Sequence, residues 1–510
     1  MTLSLRFAAC VAMLSVLAGC QGRTTDSHTA VMIIESSPNN LDLRQGTDAQ
    51  SERVGGIIFD ALVKKDEHYN LRPWLATSWE QPDPLTLLVH LRDGVRFHDG
   101  RPLESEDVAW TIRSMIDGTL ISAKGGAFAS VDRVDVRDRL TLLLKLKRPD
   151  AGLLFNMSDG LFGVVPRGAG RDFGLHPVGS GPFRFVSEVQ DKEVVVASNP
   201  DYWAGAPKIE GVRFTVVPDA ITSALELRKG SADLASNVLT FDMLHTLEQA
   251  PNVKIESGES SVVIYTNFNV TDPVLRDRRV RQAIACAMDR QAIVNAIWRG
   301  QARLADTMLP AGHWAAASGA EIAQYPHDVA RAGRLLDEAG FPLGTDGIRL
   351  RITLKTSTDE TTRLMAAVLQ QQLRAAGIRL EIRSAEFGTF YSDVTRGAFQ
   401  MYALRWIGSN EDPDIFRYTY GTSSFPPKGA NRGRYSNSRV DALLKAATGE
   451  TDQTKRRTEY IEVQRILAED LPGIPLWYPN NEVVHSLRVE GVKPQGSGTF
   501  DYLREITLKP

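Results

Sequence analysis

The chain is poor in the residues that staple small secreted folds. Its 510 residues include three cysteines, Cys10, Cys20 and Cys286. The first two fall in the N-terminal apolar segment, so the body carries a single thiol and an intramolecular disulfide within it is excluded. Positive charge is not in excess either. Lys and Arg number 59 against 62 Asp and Glu, a formal net charge of −3, which argues against nucleic acid or an anionic membrane surface as the main partner. After the N-terminus no apolar run approaches the ~20 residues of a transmembrane helix. Low-complexity tracts and internal repeats are absent. So are a G-x-S-x-G nucleophile elbow, a phosphate-binding P-loop and an H-E-x-x-H zinc helix, and the nine histidines are scattered. A hydrolase is therefore disfavoured, and no cofactor and no metal are expected. What remains is a globular composition, 43% hydrophobic and 24% charged, in a chain long enough for two to four domains.

The N-terminus reads MTLSLRFAACVAMLSVLAGCQGRTTD. Arg6 precedes an apolar run from Phe7 to Leu17 that is too short to span a bilayer, as expected of an export signal. The run ends in Leu17-Ala18-Gly19-Cys20, which resembles a bacterial lipobox. The resemblance implies a signal peptide over 1–19, lipid attachment to Cys20 and a tether over 20–30. An ordinary signal peptide is the alternative. The expected location is the periplasm or cell surface, anchored by lipid to a bacterial membrane.

Farther on, Val31-Met32-Ile33-Ile34 reads as a buried strand, and Val54, Ile57, Ile58, Ala61 and Leu62 fall at helical spacing. LTLLVHL (85–91) is a strand, followed by Asp-Gly turns at 93–94 and 99–100. Ser105 is expected to cap a helix. The pair 131–136 and LTLLLKLK suggests a hairpin. VGSGP (178–182) reads as a crossing point whose glycines allow unusual backbone angles. From Asp277 to Gly300 a helical stripe runs through Val280, Ile284, Met288 and Ile297, and Cys286 on it is expected to be buried and inert. Strands at 351–355 and 378–383 alternate with helices at 328–339 and around 364–373. This order predicts an α/β protein with a helix-covered sheet. His98 reads as a structural hairpin histidine, and the aromatic pairs Tyr202-Trp203 and Trp477-Tyr478 read as core more readily than as cleft lining.

Six segments in order resemble the family 5 extracellular solute-binding proteins, the dipeptide, oligopeptide and nickel receptors of ABC importers. They are LRPWLATSWE, LRDGVRFHDGRPLESEDV, HPVGSGPFRF, NPDYWAGAPKIEGVRF, FNVTDPVLRDRRVRQAIACAMDRQAIV and HDVARAGRLLDEAGF. The likeness covers nearly all of the chain after the leader. It implies an α/β, type II periplasmic-binding-protein fold of cluster C, in which two lobes close about a hinge and an extra subdomain is inserted in the N-terminal lobe. By that analogy lobe I comprises 31–45, 180–267 and 482–510, the insert 46–179 and lobe II 268–481. The hinge would be Tyr265 to Val270 and Ile474 to Asn480. The implied function is capture of a small polar solute, peptides first, by a monomer that delivers it to a membrane permease. A sugar, opine or metal chelate is the alternative ligand, and a sensory or chaperone-like binding protein the alternative role.

The loop WIGSNEDPDIF (406–416) bears most directly on the ligand. In peptide-binding relatives a similar loop carries an aspartate three residues after the tryptophan, and that aspartate receives the peptide ammonium. Here the position is Ser409, which has no charge to offer. Either Glu411 or Asp412 takes over, or the ligand has no ammonium at that place. The expected ligand-contacting residues are Trp406, Ser409, Asn410, Glu411 and Asp412. Asp414 is expected on a solvated turn or at the start of the next helix. A metal site from Glu411, Asp412 and Asp414 is disfavoured because the spacing is not that of a calcium loop.

Overall fold

The structure is a computed structural model that describes residues 28–406 and 411–509. The expected signal peptide, Cys20 and most of the tether lie outside those residues, as do Ser409 and Asn410.

Three β-layers organise the chain. The first is a seven-stranded sheet with strand order Val253–Gly258, Asn481–Ser486, Leu234–Ser236, Thr29–Ile34, Gly211–Val216, Glu193–Ser198 and Phe183–Val189. Thr29–Ile34 lies at its centre and runs parallel to both neighbours. Side chains alternate across a strand, so Met32 and Ile34 meet Val54, Ile57 and Ile58 of helix Ala49–Ile58. Ile33 faces the other way, toward Leu227 and Leu244 of helices Ala220–Lys229 and Phe241–Leu247.

The second sheet has six strands, in the order Ala302–Leu304, Gly473–Pro479, Val263–Phe268, Met401–Trp406, Leu350–Ser357 and Ile378–Ala385. One face buries Ile284, Leu336 and Leu369 from helices Arg278–Ala287, Val329–Glu338 and Glu360–Ala375 against Leu354 and Trp477. The opposite face carries Tyr265 and Tyr402 against Phe416 and Tyr460. The third layer is an antiparallel sheet, ordered Ala76–Asp83, Thr86–Leu91, Thr141–Leu146 and Val131–Asp138. Helix Ser105–Ile116 covers it with Val108, Ala109 and Ile112.

Several local expectations are revised. Ser105 is not the cap. Glu104 holds that position, its N–H donates to Asp107 Oδ2 at 2.9 Å, and Ser105 begins the helix. The stripe from Asp277 to Gly300 breaks into two helices, Arg278–Ala287 and Arg290–Ile297, because Asp289 accepts the Ala292 N–H and starts the second. In VGSGP the glycines answer to space and not to backbone angle. A Cβ at Gly179 would stand 1.9 Å from the Ile58 carbonyl oxygen, and neither Gly179 nor Gly181 has a positive φ.

The sheets also place the crossings between bodies. Val263–Phe268 and Gly473–Pro479 are both strands of the six-stranded sheet. The chain therefore passes between the two large sheets at 259–262 and at Asn480, not within Tyr265 to Val270. Helix Ala49–Ile58 packs on the seven-stranded sheet, so the extra body begins after it and not at residue 46. Arg281, a landmark of the resemblance, is buried and ties helix to helix. Its guanidinium donates to the carbonyls of Leu471, Leu275 and Arg276 at 2.6–3.0 Å and to that of Asp470.

Candidate functional site

Between the two large sheets lies a cavity of about 810 Å³. One wall comes from the seven-stranded side and includes Arg53, Asn237 and Asn481. The facing wall comes from the six-stranded side and includes Asp359, Tyr391, Trp406 and Arg432. Ser260 and Ser261, in the crossing segment, line it between the walls.

Trp406 ends the strand Met401–Trp406 and is 9% exposed. Its ring neighbours Tyr265 and Tyr418 at 6.4 and 6.1 Å, and the Arg432 guanidinium lies 5.8 Å from its centroid. Arg432 also donates to the Tyr391 hydroxyl at 2.8 Å and lies 5.1 Å from that ring's centroid. Trp406 is thus a fixed apolar plate in the cleft wall.

Glu411 lines the same cavity but is already engaged. Lys65 Nζ lies 2.8 Å from its Oε2, with the two side chains 6% and 5% exposed. The Ser261 hydroxyl donates to Oε1 at 2.8 Å. Lys65 belongs to the short strand Val63–Lys65 of the extra body, so the ion pair joins that body to the six-stranded side. Lys65 Nζ also donates to the Asp159 carbonyl at 3.1 Å. Burial opposes the lysine charge, but Asp159 and Glu411 together outweigh it and hold the ammonium above its ordinary pKa. Asp159 is pushed up by burial, with Lys65 acting against that.

His313 fixes the loop from behind. The Ala315 N–H donates to Nδ1 at 3.0 Å, so Nε2 carries the proton and donates to the Glu411 carbonyl at 2.9 Å. The ring stacks on Tyr69 of the extra body with centroids 5.3 Å apart. Burial lowers the imidazole pKa to about 4, so His313 is a neutral strut at physiological pH.

Asp412 faces elsewhere. It lines a second cavity with Asp150, Trp314 and Arg456, while the interlobe cavity is bounded by Glu411. Its Oδ1 accepts the Asp414 N–H at 2.8 Å, and burial pushes its pKa up to about 6. Asp414 accepts from Arg417 Nε at 2.9 Å and makes no side-chain cap bond. The three acids of the loop therefore diverge, and among the described residues no metal-holding group of His, Cys, Asp and Glu forms.

The aromatic pairs are packed inside. Tyr202 and Trp203 both donate to the buried Asp60, at 2.8 and 3.0 Å, together with Trp74 and Ser180. Trp477 packs against Trp298 with the rings tilted and their centroids 4.7 Å apart, and Cys286 is buried with its thiol pKa raised by burial. His98 Nε2 meets the Gly181 carbonyl at 2.9 Å, and its pKa falls to about 4 on burial.

Sequence reasoning missed Lys65, Arg53, Arg432 and Ser261. Only the pairing of Val63–Lys65 with Leu71–Pro73 and the approach of the second body turn Lys65 inward.

Two α/β sheets facing across a cleft, linked by two crossings, with a third body beside one of them, define the type II periplasmic-binding-protein fold of cluster C. The family model for bacterial extracellular solute-binding proteins, family 5 (middle), matches residues 70–426, and the chain belongs to that family. It is a solute-binding receptor of the ABC-importer class and not an enzyme. It is 28% identical to the oligopeptide-binding protein AppA of Bacillus subtilis, over 89% of this chain and 87% of that protein. It is also 28% identical to di/tripeptide-binding protein 1 of Pseudomonas aeruginosa, over 91% of this chain and 92% of the relative. Among solved structures, NikA from Brucella suis in complex with Fe(III)-EDTA superposes with a TM-score of 0.84 at 23% identity, covering 94% of this chain and all of the other.

Proposed function

We propose that this receptor captures a short peptide or a peptide-sized polar solute between its two large bodies and hands it to a membrane permease. The observation that carries the reading is the interlobe cavity of about 810 Å³ walled by Trp406. Its size lies within the roughly 300–1,000 Å³ of small-ligand sites. The names of the relatives AppA and di/tripeptide-binding protein 1 favour peptides over other solutes. In this reading lobe I (31–45, 180–267 and 482–510), the insert (46–179) and lobe II (268–481) move as bodies, with their boundaries shifted to the crossings at 259–262 and Asn480. Ligand that bridges the walls favours the closed form by its differential affinity. The LAGC motif supports a lipid anchor at Cys20 and a location outside the cytoplasm.

Native mass spectrometry of the gently purified mature protein identifies a retained ligand. A thermal-shift panel of peptides, sugars and metal chelates then ranks classes, because a ligand that binds only the folded form raises the melting temperature. Trp406→Ala is expected to weaken the best peptide by tenfold or more. A sugar or chelate that shifts the melting point while no peptide does overturns the peptide assignment.

A further inference from the structure

The charges that face the interlobe cavity are unequally matched. Most of its acids have partners within the chain. Glu411 and Asp159 share Lys65. Glu52 pairs with Lys124 at 3.0 Å. Asp359 caps helix Glu360–Ala375 through the Thr362 N–H at 2.9 Å and has Arg405 at 3.7 Å. Glu482 is buried and accepts from Ser257 Oγ at 2.8 Å, and burial pushes its pKa up to about 7. Glu35 is exposed at the edge.

Two of the guanidinium groups are in the opposite condition. Arg53, on helix Ala49–Ile58, projects beside the cavity with its Cζ 5.8 Å from the Phe500 ring centroid. Arg432 on the facing wall is buried against neutral partners, the Tyr391 and Tyr265 hydroxyls and the Trp406 ring. Among the described residues neither has a carboxylate within ion-pair distance, and burial lowers the Arg53 pKa, with Glu35 and Glu52 near enough to act against that. A desolvated guanidinium with no carboxylate in contact is costly, and its planar fork matches one. An arginine on each wall is therefore poised for an anionic group brought by the solute. The one acid beside Trp406, Glu411, is by contrast filled by the chain's own ammonium.

We propose that the cleft takes a carboxylate-bearing solute without a free ammonium, with Arg53 and Arg432 as its anion-binding residues and Lys65 occupying the acid that would otherwise receive an amine. This deepens the peptide reading and rests on the interlobe cavity being the solute site. On a peptide scaffold it means an N-blocked peptide with a free C-terminus.

The test is calorimetry on the mature protein with Ala-Phe, N-acetyl-Ala-Phe, Ala-Phe amide and N-acetyl-Ala-Phe amide, and with glutarate as a non-peptide dicarboxylate. N-acetyl-Ala-Phe is expected to bind at least tenfold tighter than Ala-Phe, and both amides to lose tenfold or more. Arg53→Gln should weaken N-acetyl-Ala-Phe tenfold while leaving the melting temperature of the unliganded protein near wild type. Lys65→Met should reverse the preference, since the Ala-Phe ammonium can then satisfy Glu411. Ala-Phe binding as tightly as its acetylated form, or an unchanged affinity in Arg53→Gln, overturns the inference while leaving the peptide reading in place. Binding of glutarate with no response to any of the four peptide probes does the reverse.

Discussion

The Lys65–Glu411 pair offers the sharpest quantitative test of how the bodies meet. Replacing Lys65 by Met removes the ammonium and keeps most of the side-chain volume. Were the pair solvated, the change would cost at most about 1 kcal/mol. The side chains are 6% and 5% exposed, and removing one partner of a buried pair costs about 3–5 kcal/mol because the other charge is stranded. Glu411 keeps the Ser261 hydroxyl, which places the expected loss near the lower end, about 3 kcal/mol. The folded-state pKa of Lys65 is raised. Its contribution is then fully present below the ordinary lysine pKa and is lost only as pH rises past the folded value, so the deficit should be constant across neutral pH. Guanidinium denaturation followed by tryptophan fluorescence measures it. Glu411→Gln combined with Lys65→Met should recover part of the loss but not all, because Asp159 still sits beside the vacated site. A loss under about 1 kcal/mol, with no coupling between the two substitutions, would refute the buried clasp and show that water reaches it.

Two further outcomes follow from the same structure. The folded state of Asp412 binds its proton more tightly than the unfolded chain does, so its share of stability falls as pH rises from about 4 to about 6 and stays low above that. Asp412→Asn, which still accepts the Asp414 N–H, should be more stable than wild type by about 1–2 kcal/mol near neutral and mildly alkaline pH. The gain should vanish near pH ~4, and equal denaturation midpoints at about pH 8 would contradict it. Gly179→Ala puts a methyl 1.9 Å from the Ile58 carbonyl, where backbone must move, and is expected to cost about 3 kcal/mol or more. Wild-type yield and denaturation midpoint for that variant would show that the crossing is looser than its geometry.

Much of the architecture is legible along the chain. The apolar run Val31 to Ile34 is a central strand because both of its faces are covered, and a parallel strand buried on both sides needs no polar alternation. The helices 329–338 and 360–375 follow from period, aspartate caps and the glycines Gly340 and Gly377 behind them, both at positive φ. Helix starts and crossings are set by contacts that spacing alone does not give. Ser105 is the cap that the pattern offers, and the Asp107 carboxylate reaching back to the Glu104 N–H places the cap one residue earlier. The first crossing lies at 259–262 and not at Tyr265 to Val270, because the sheet a strand joins is set by its pairing partners and not by its own apolar pattern.

The sequence by itself determined the α/β class, the order of strands and helices, the inert cysteine and the family, since these rest on local periodicity and on motifs read in order. It also marked Trp406 and the acids behind it as the loop to watch. The tertiary structure alone decided what those acids do. Glu411, Asp412 and Asp414 are neighbours in the chain, yet one faces the interlobe cavity, one a different cavity and one an arginine three residues on. Glu411 finds its partner, Lys65, hundreds of residues away in the chain. Charge in a cleft depends on distance and burial, and neither quantity is written in sequence spacing.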